Sequence, residues 1–197
     1  MRLKGIRIGF VVTGSHCTIE KILGEIERLV AEGADVFPVV SYSVSTMDTR
    51  YGKASDWCKK LQEITKKDLI KSIVEAEPVG PGKLFDILVV APCTGNTLAK
   101  LSNGITDTPA LMAIKAHLRN QRPVVIAVST NDGLGLNAQN IAKLLNSKNI
   151  YMVPFGQDNP VVKPNSLVAR MEKIFDTLCA ALDGKQIHPV LVEYSTN

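Results

Sequence analysis

Ile6-Arg7-Ile8-Gly9-Phe10-Val11-Val12-Thr13-Gly14-Ser15 is the stretch from which the fold can be read. Ile6 to Val12 has the apolar run of a strand buried on both faces, and Thr13, Gly14 and Ser15 break it. From Thr18, apolar residues recur at Ile19, Ile22, Leu23, Ile26, Leu29 and Val30. That is the single stripe of an amphipathic helix, and Gly33 supplies its stop. Val36 to Val40 predicts a second strand, although Pro38 would not suit a central position. Residues 1–41 therefore read as β-α-β, with a small polar turn where the first strand meets the first helix.

The same alternation continues outward. Residues 42–65 are the least regular, a hydroxyl-rich stretch (Ser41, Ser43, Ser45, Thr46, Thr49) leading to Trp57 and a short helix. Lys67 to Ala76 reads as helical, Pro78 to Lys83 as a Pro/Gly loop, and Ile87 to Ala91 as a buried strand closed by Pro92. Helices are expected from Asn96 to Leu101 and from Pro109, a good first helical residue, to about His117. Val124 to Val128 predicts a strand, Ser129 to Leu136 a polar loop, and Asn137 to Leu145 a helix. Tyr151 to Pro154 predicts a short strand and Ser166 to Leu182 a final helix. Strands alternating with helices imply a three-layer α/β sandwich, Rossmann-like or flavodoxin-like, with a mostly parallel sheet. The expected organisation is one domain over residues 1–182 and a tail, 183–197, that is an arm or disordered.

Composition bounds the function. The chain has 197 residues, 45% hydrophobic and 21% charged, enough for one sizeable core and incompatible with global disorder. No apolar run reaches the ~18 residues of a membrane span, and the first residues lack a signal-peptide core, so a cytoplasmic protein without membrane partners is expected. The net charge of +4 is mild and its lysines are scattered, with only 5% aromatics, which argues against nucleic acid and leaves a modest bias toward small anions. Cys17, Cys58, Cys93 and Cys179 form no C-x-x-C pair and have no His at ligand spacing; reduced thiols and no metal are expected.

In such a sheet, ligands bind beyond the carboxyl ends of the strands. The residues there share one character. They are Thr13, Gly14, Ser15 and His16; then Ser41, Ser43, Ser45 and Thr46; then Pro92, Cys93, Thr94, Gly95, Asn96 and Thr97; then Ser129, Thr130 and Asn131. Such loops suit a phosphate held by amides, helix ends and hydroxyls, or a flat heterocycle needing directed hydrogen bonds. Taken singly, each is also an ordinary turn or helix cap. The first loop is not G-x-G-x-x-G, the second strand does not end in Asp or Glu, and no P-loop is present. A mononucleotide fits better than a dinucleotide.

Pro92-Cys93-Thr94-Gly95-Asn96-Thr97-Leu98-Ala99-Lys100-Leu101-Ser102-Asn103-Gly104-Ile105-Thr106-Asp107 resembles the P-A-S-A-N-T-x-A-K-x-x-N-G-x-x-D run of the FMN-binding flavoprotein superfamily. That superfamily includes the cysteine-peptide and phosphopantothenoylcysteine decarboxylases. Val12-Thr13-Gly14-Ser15 matches its V-T-G-S opening, Asn131 matches the last residue of its P-x-M-N turn, and Asn140 and Pro154 follow its pattern. The resemblance covers roughly residues 5–180. It implies FMN held by Gly14, Ser15, His16, Ser41, Ser43, Pro92, Cys93, Thr94, Asn96, Thr97, Ser129, Thr130 and Asn131. Ser15-His16-Cys17 and the Pro-Cys-Thr-Gly-Asn turn resemble one branch, part of an oxidoreductase that aromatises a dihydropyridine dicarboxylate in sporulating bacteria. This implies NAD or NADP on a companion chain, a small dicarboxylate substrate, a homo-oligomer, and the mother-cell cytoplasm. The alternatives are a decarboxylase or prenyl transferase of the superfamily, or a flavin-binding component without chemistry. Decarboxylases of the family carry a catalytic His ahead of the strand leading to this turn. Residues 76–85 contain none, and Val128-Ser129-Thr130-Asn131 lacks the Pro and Met of P-x-M-N.

Among single residues, His16 could donate to a phosphate or protonate a substrate, and equally reads as a polar loop residue. His117 falls between Lys115 and Arg119 and is expected to face solvent. Cys93 reads as a packing residue, since nothing near it in sequence would lower its pKa. Arg50, Lys53 and Lys163 could meet a dicarboxylate or be solvated surface.

Overall fold

A computed structural model describes residues 2–194. Its elements are β1 (Arg7–Val12), α1 (His16–Ala31), β2 (Asp35–Val40), α2 (Tyr42–Thr46), α3 (Ala54–Thr65), α4 (Ile73–Ala76), β3 (Ile87–Cys93), α5 (Gly95–Ser102), α6 (Pro109–Leu118), β4 (Val124–Thr130), α7 (Ala138–Leu145), β5 (Ile150–Met152), β6 (Phe155–Gly156), β7 (Leu167–Ala169) and α8 (Ile174–Leu182). Strands β2-β1-β3-β4-β5 are parallel, each pairing with the next in that order. This is the flavodoxin-like order, in which the chain reverses direction across the sheet between β1 and β3. β7 pairs antiparallel with the last two residues of β4, and β6 with β7, so one edge of β4 serves β5 along its start and β7 along its end. Helices α1 and α8 pack together on one side, and α6 with α4 on the other, giving three layers.

The apolar stripe of α1 is buried as its spacing requires, with Ile19, Ile22, Ile26 and Leu29 fully enclosed. Gly33 has φ +88°, the left-handed conformation that ends a helix and that glycine adopts without strain. Pro38 is tolerated because β2 lies at the sheet edge. Its even-numbered neighbour Val40 turns its N–H outward to the Ile70 carbonyl (2.9 Å), so the N–H that Pro38 lacks would also point away from β1.

Four expectations fail for identifiable reasons. Residues 67–72 are not helical. Ser72 accepts from the Glu75 N–H and Glu75 reaches back to Ser72, a capping box that starts α4 at Ile73, while Ile70 bridges Val39. Residues 166–170 are not helical either: Leu167–Ala169 is a strand, too short for its alternation to be distinguished from a helical stripe, and only a 3-10 turn at Met171–Lys173 precedes α8. Ser129 and Thr130 stand on β4 rather than in a loop, because β7 pairs with both. The third strand likewise runs on to Cys93.

The segment after Asp183 runs back onto the sheet. The Gln186 side chain bonds both the N–H and the carbonyl of Met152 (2.7 Å each), and Phe155 pairs with Val190 and Val192. Residues 195–197 of the expected tail lie outside the described residues. Among the described residues no helix is long and apolar enough to cross a membrane.

A further expectation fails at His117. It is buried, 1% exposed, and its Nε2 lies 3.1 Å from the Pro123 carbonyl. α6 is buried nearly all round, so the flanking Lys115 and Arg119 misstate its orientation. Burial lowers the His117 pKa from 6.5 to about 4. Between those values the unfolded chain binds a proton that the folded chain does not, so stability is lost as pH falls. The integrated loss is about 3 kcal/mol from this residue. Urea unfolding of the wild type at pH 7 and pH 4 should show that loss, and His117→Gln should show correspondingly less.

Candidate flavin site

The reversal between β1 and β3 sets the loop after one strand beside the loop after the other. Thr13, 1% exposed, joins them. Its hydroxyl donates to the Pro92 carbonyl (2.7 Å) and accepts from the Thr94 N–H (3.0 Å). Two glycines let these loops approach their neighbours. A Cβ on Gly14 would lie 2.4 Å from the Ser43 hydroxyl, and one on Gly95 would lie 2.6 Å from both Thr130 and Asn137.

Two clefts open along this edge and meet at Gly14 and Thr94. The first, about 330 Å³, is lined by Thr13, Gly14, Ser41, Tyr42, Ser43, Thr94, Asn96, Thr97, Lys100, Thr108 and Leu111. The second, about 400 Å³, is lined by Gly14, Ser15, Cys17, Thr18, Lys21, Thr94, Gly95, Ser129, Thr130, Asn131, Asp158, Lys163 and Val168. A larger hollow of about 530 Å³ continues past Lys21 and Asp158 to Glu25, Arg170 and Glu172, where opposite charges mix and the strand-end hydroxyls are absent.

The second cleft contains a triangle of hydroxyls. Ser15 Oγ lies 2.8 Å from Ser129 Oγ and 3.2 Å from Thr18 Oγ1, and those two are 3.1 Å apart. Because the Ser15 side chain is engaged there, the first-turn amides of α1 have no side-chain cap. The Thr18 N–H bonds the Ser15 carbonyl (2.9 Å), and the start of α1 keeps a dipole favourable to an anion. α5 is capped, Thr94 accepting from the Thr97 N–H. Lys100 is held by Asp107 at 2.6 Å and Lys163 by Asp158 at 3.5 Å. Partial burial acts to raise the Asp158 pKa, but its hydrogen bonds and the Lys163 charge outweigh this and hold it below the ordinary carboxylate range. Among the described residues no group of three His, Cys, Asp or Glu side chains could hold a metal.

The profile of the Flavoprotein family matches residues 1–183. The chain belongs to the flavoprotein family. It is 52% identical to the B subunit of dipicolinate synthase of Bacillus subtilis (strain 168) over 191 residues, 97% of this chain and 96% of that protein. The crystal structure of the dipicolinate synthase B subunit from Bacillus halodurans C superposes with a TM-score of 0.90 at 53% identity, covering 98% of this chain and 99% of that one. The FMN-dependent cysteine decarboxylase SpaF shares the fold, with a TM-score of 0.68 at 16% identity over 91% and 98% of the two chains.

In this flavoprotein Gly14, Ser15, Ser41, Ser43, Thr94, Asn96, Thr97, Ser129, Thr130 and Asn131 come together around the two clefts, as their places at the strand ends require. His16, Pro92 and Cys93 line neither. The His16 ring folds back toward Gly14, its Nδ1 buried without a partner, and burial lowers its pKa. Cys93 is fully buried and burial raises its thiol pKa, which suits packing. Arg50 stacks on Tyr51, and Lys53 flanks the start of α3, both away from the clefts. Thr18, Lys21, Tyr42, Thr108 and Asp158 escape a reading confined to strand ends. For Thr18 the available signal is its i+3 spacing from Ser15, and for Lys21 its i+3 spacing from Thr18; for Asp158 there is none.

Thr13→Val keeps the shape but leaves the Thr94 N–H and Pro92 carbonyl without a buried partner. Denaturant unfolding should show a loss of about 2–4 kcal/mol. Thr13→Ser, which keeps the hydroxyl, should lose only about 1 kcal/mol for the buried methyl.

Proposed function

We propose that this chain is the FMN-binding subunit of dipicolinate synthase. It would take part in oxidising dihydrodipicolinate to dipicolinate during sporulation, in the mother-cell cytoplasm. The observation that carries this reading is the likeness to the dipicolinate synthase B subunit over nearly the whole length of both chains. Residues 1–182 would act as a single flavoprotein domain, and Gly14, Ser15, Ser41, Ser43, Thr94, Asn96, Thr97, Ser129, Thr130 and Asn131 would hold the cofactor.

The lining fits that cofactor. Gly14 and Gly95 let the strand-end loops close on Ser43, Thr130 and Asn137, and neutral hydroxyl and amide donors match a phosphate ester and a ribityl chain. FMN, when bound, supplies a hydride acceptor. Aromatising the dihydropyridine removes two hydrogens, one as hydride and one as a proton. NAD or NADP on the companion A subunit of dipicolinate synthase would be the final acceptor. β2 ends in Val40 and passes to Ser41, offering no carboxylate for a nicotinamide dinucleotide ribose on this chain. No catalytic group is assigned; His16 is the one candidate, from its place just after β1, although its ring lines neither cleft. The exposed Leu134, Leu145 and Leu191 offer apolar surface for a homo-oligomer.

The decarboxylase alternative lacks its histidine. Residues 76–85 contain none and precede β3, at the end of the strand opposite Pro92. The isolated chain should therefore leave cysteine-ending peptides and phosphopantothenoylcysteine unchanged, and should support dipicolinate formation only with the A subunit. Decarboxylation by the isolated chain, or full synthase activity without that companion, would refute the reading.

Titration of the purified chain with FMN should shift the flavin spectrum and quench its fluorescence; an intact fold with neither change would remove the cofactor. Ser15→Ala should weaken FMN binding roughly ten- to hundredfold, the loss of a hydrogen bond to a charged group. Ser15→Asp should weaken it further, because a carboxylate would face the phosphate, while the melting temperature stays near wild type since Asp starts helices well. Unchanged FMN affinity in Ser15→Asp would exclude this loop.

A further inference from the structure

Beyond the hydroxyl and amide donors assigned to the cofactor, the second cleft carries charged side chains. Lys21 enters it from α1, six residues past Ser15, and Lys163 enters from the loop between β6 and β7. Lys163 is partly compensated by Asp158, 3.5 Å away. Lys21 forms no ion pair among the described residues, although Glu25 follows it at helical spacing. The rest of the lining carries no charge. Two cations against one carboxylate leave the cleft with a net positive charge at the edge of the hydroxyl triangle.

A dianion entering this cleft must give up water around two carboxylates, which neutral donors alone compensate poorly. Two ammoniums, one from α1 and one from the loop between β6 and β7, supply that compensation, and flexible lysine stems tolerate the change from a puckered dihydropyridine to a flat pyridine. We infer that Lys21 and Lys163 are the carboxylate-recognition pair of this cleft, taking a pyridine or dihydropyridine dicarboxylate. Asp158 competes for Lys163 when the cleft is empty. The inference rests on the reading of this chain as part of dipicolinate synthase for its substrate class, but not on how FMN is held.

The test uses the full chain loaded with FMN, alone and with its companion chain, and pyridine-2,6-dicarboxylate as the calorimetric probe. Lys21→Met and Lys163→Met should each weaken the probe about fivefold, the effect of about 1 kcal/mol at a part-exposed ion pair. Asp158→Asn should tighten it, an effect that a merely structural role would not produce. Pyridine-2-carboxylate, with one carboxylate, should bind the wild type more weakly and respond less to either lysine. FMN affinity, titrated separately, should stay within about twofold of wild type in both lysine variants, a difference well under the ~1.4 kcal/mol of a tenfold change. Equal dicarboxylate binding by the wild type and both variants would overturn the inference, as would no binding with or without the companion. So would a parallel loss of FMN, which would assign the lysines to the cofactor phosphate. A wild type that binds the dicarboxylate through these lysines but fails to bind FMN would uphold the pair and refute the cofactor reading.

Discussion

The Thr13 hydroxyl is the contact on which the candidate site depends. It donates to Pro92 and accepts from Thr94, so one buried oxygen fixes the distance between the loop after β1 and the loop after β3. Both clefts are lined from these two loops, and they meet at Gly14 and Thr94, beside or at the ends of this link. Parallel strands alone would leave the two loops free to splay, since the sheet ladder ends where they begin. An uncompensated buried amide at Thr94 would also loosen the start of α5, which follows it directly.

Charge is distributed by the same architecture. At the amino ends of the strands, ions are paired: Arg7 bonds Asp86 through Nη2 (2.8 Å) and Nε (3.2 Å), and Arg122 lies 3.5 Å from the same carboxylate. The Arg7 hydrogen bond first, with burial opposing it, holds Asp86 below the ordinary carboxylate range. At the carboxyl ends the lining near the strands is neutral, and the charges stand one or two helical turns or one loop farther out, at Lys21, Lys100, Asp158 and Lys163. A neutral inner wall with an outer cationic rim suits an anion whose charge sits at its periphery and whose body is planar. The rim then governs which anion enters, while the wall governs how it is oriented.

How much of this is legible in the sequence follows from how each signal arises. The β1-α1-β2 unit is readable because α1 is sixteen residues long, and period 3.6 shows itself over that span. Leu167–Ala169 is not, because three residues carry no period and the pairing with Ser129 and Thr130, which makes them a strand, is a tertiary fact. His117 misleads for a related reason. Its chain neighbours are cationic, yet α6 is covered on nearly every side, and burial of a neutral imidazole depends on what the helix packs against rather than on what flanks it.

The candidate site divides in the same way. Its strand-end residues are legible because topology alone sends them to one edge, whatever the details of packing. The hydroxyl triangle is not, since Ser15 and Ser129 are 114 residues apart and only the folded sheet makes them neighbours at 2.8 Å. Three hydroxyls have three protons, and three mutual bonds use all of them. An anion can therefore be accepted only when one mutual bond is exchanged for a bond to the ligand, while that hydroxyl still accepts from a neighbour. The arrangement keeps the polar groups satisfied without ligand and lets them switch to donation without moving the backbone. That property belongs to the triangle and to none of its residues singly, which is why reading Ser15, Thr18 or Ser129 alone yields only a helix start, a helix residue and a strand end.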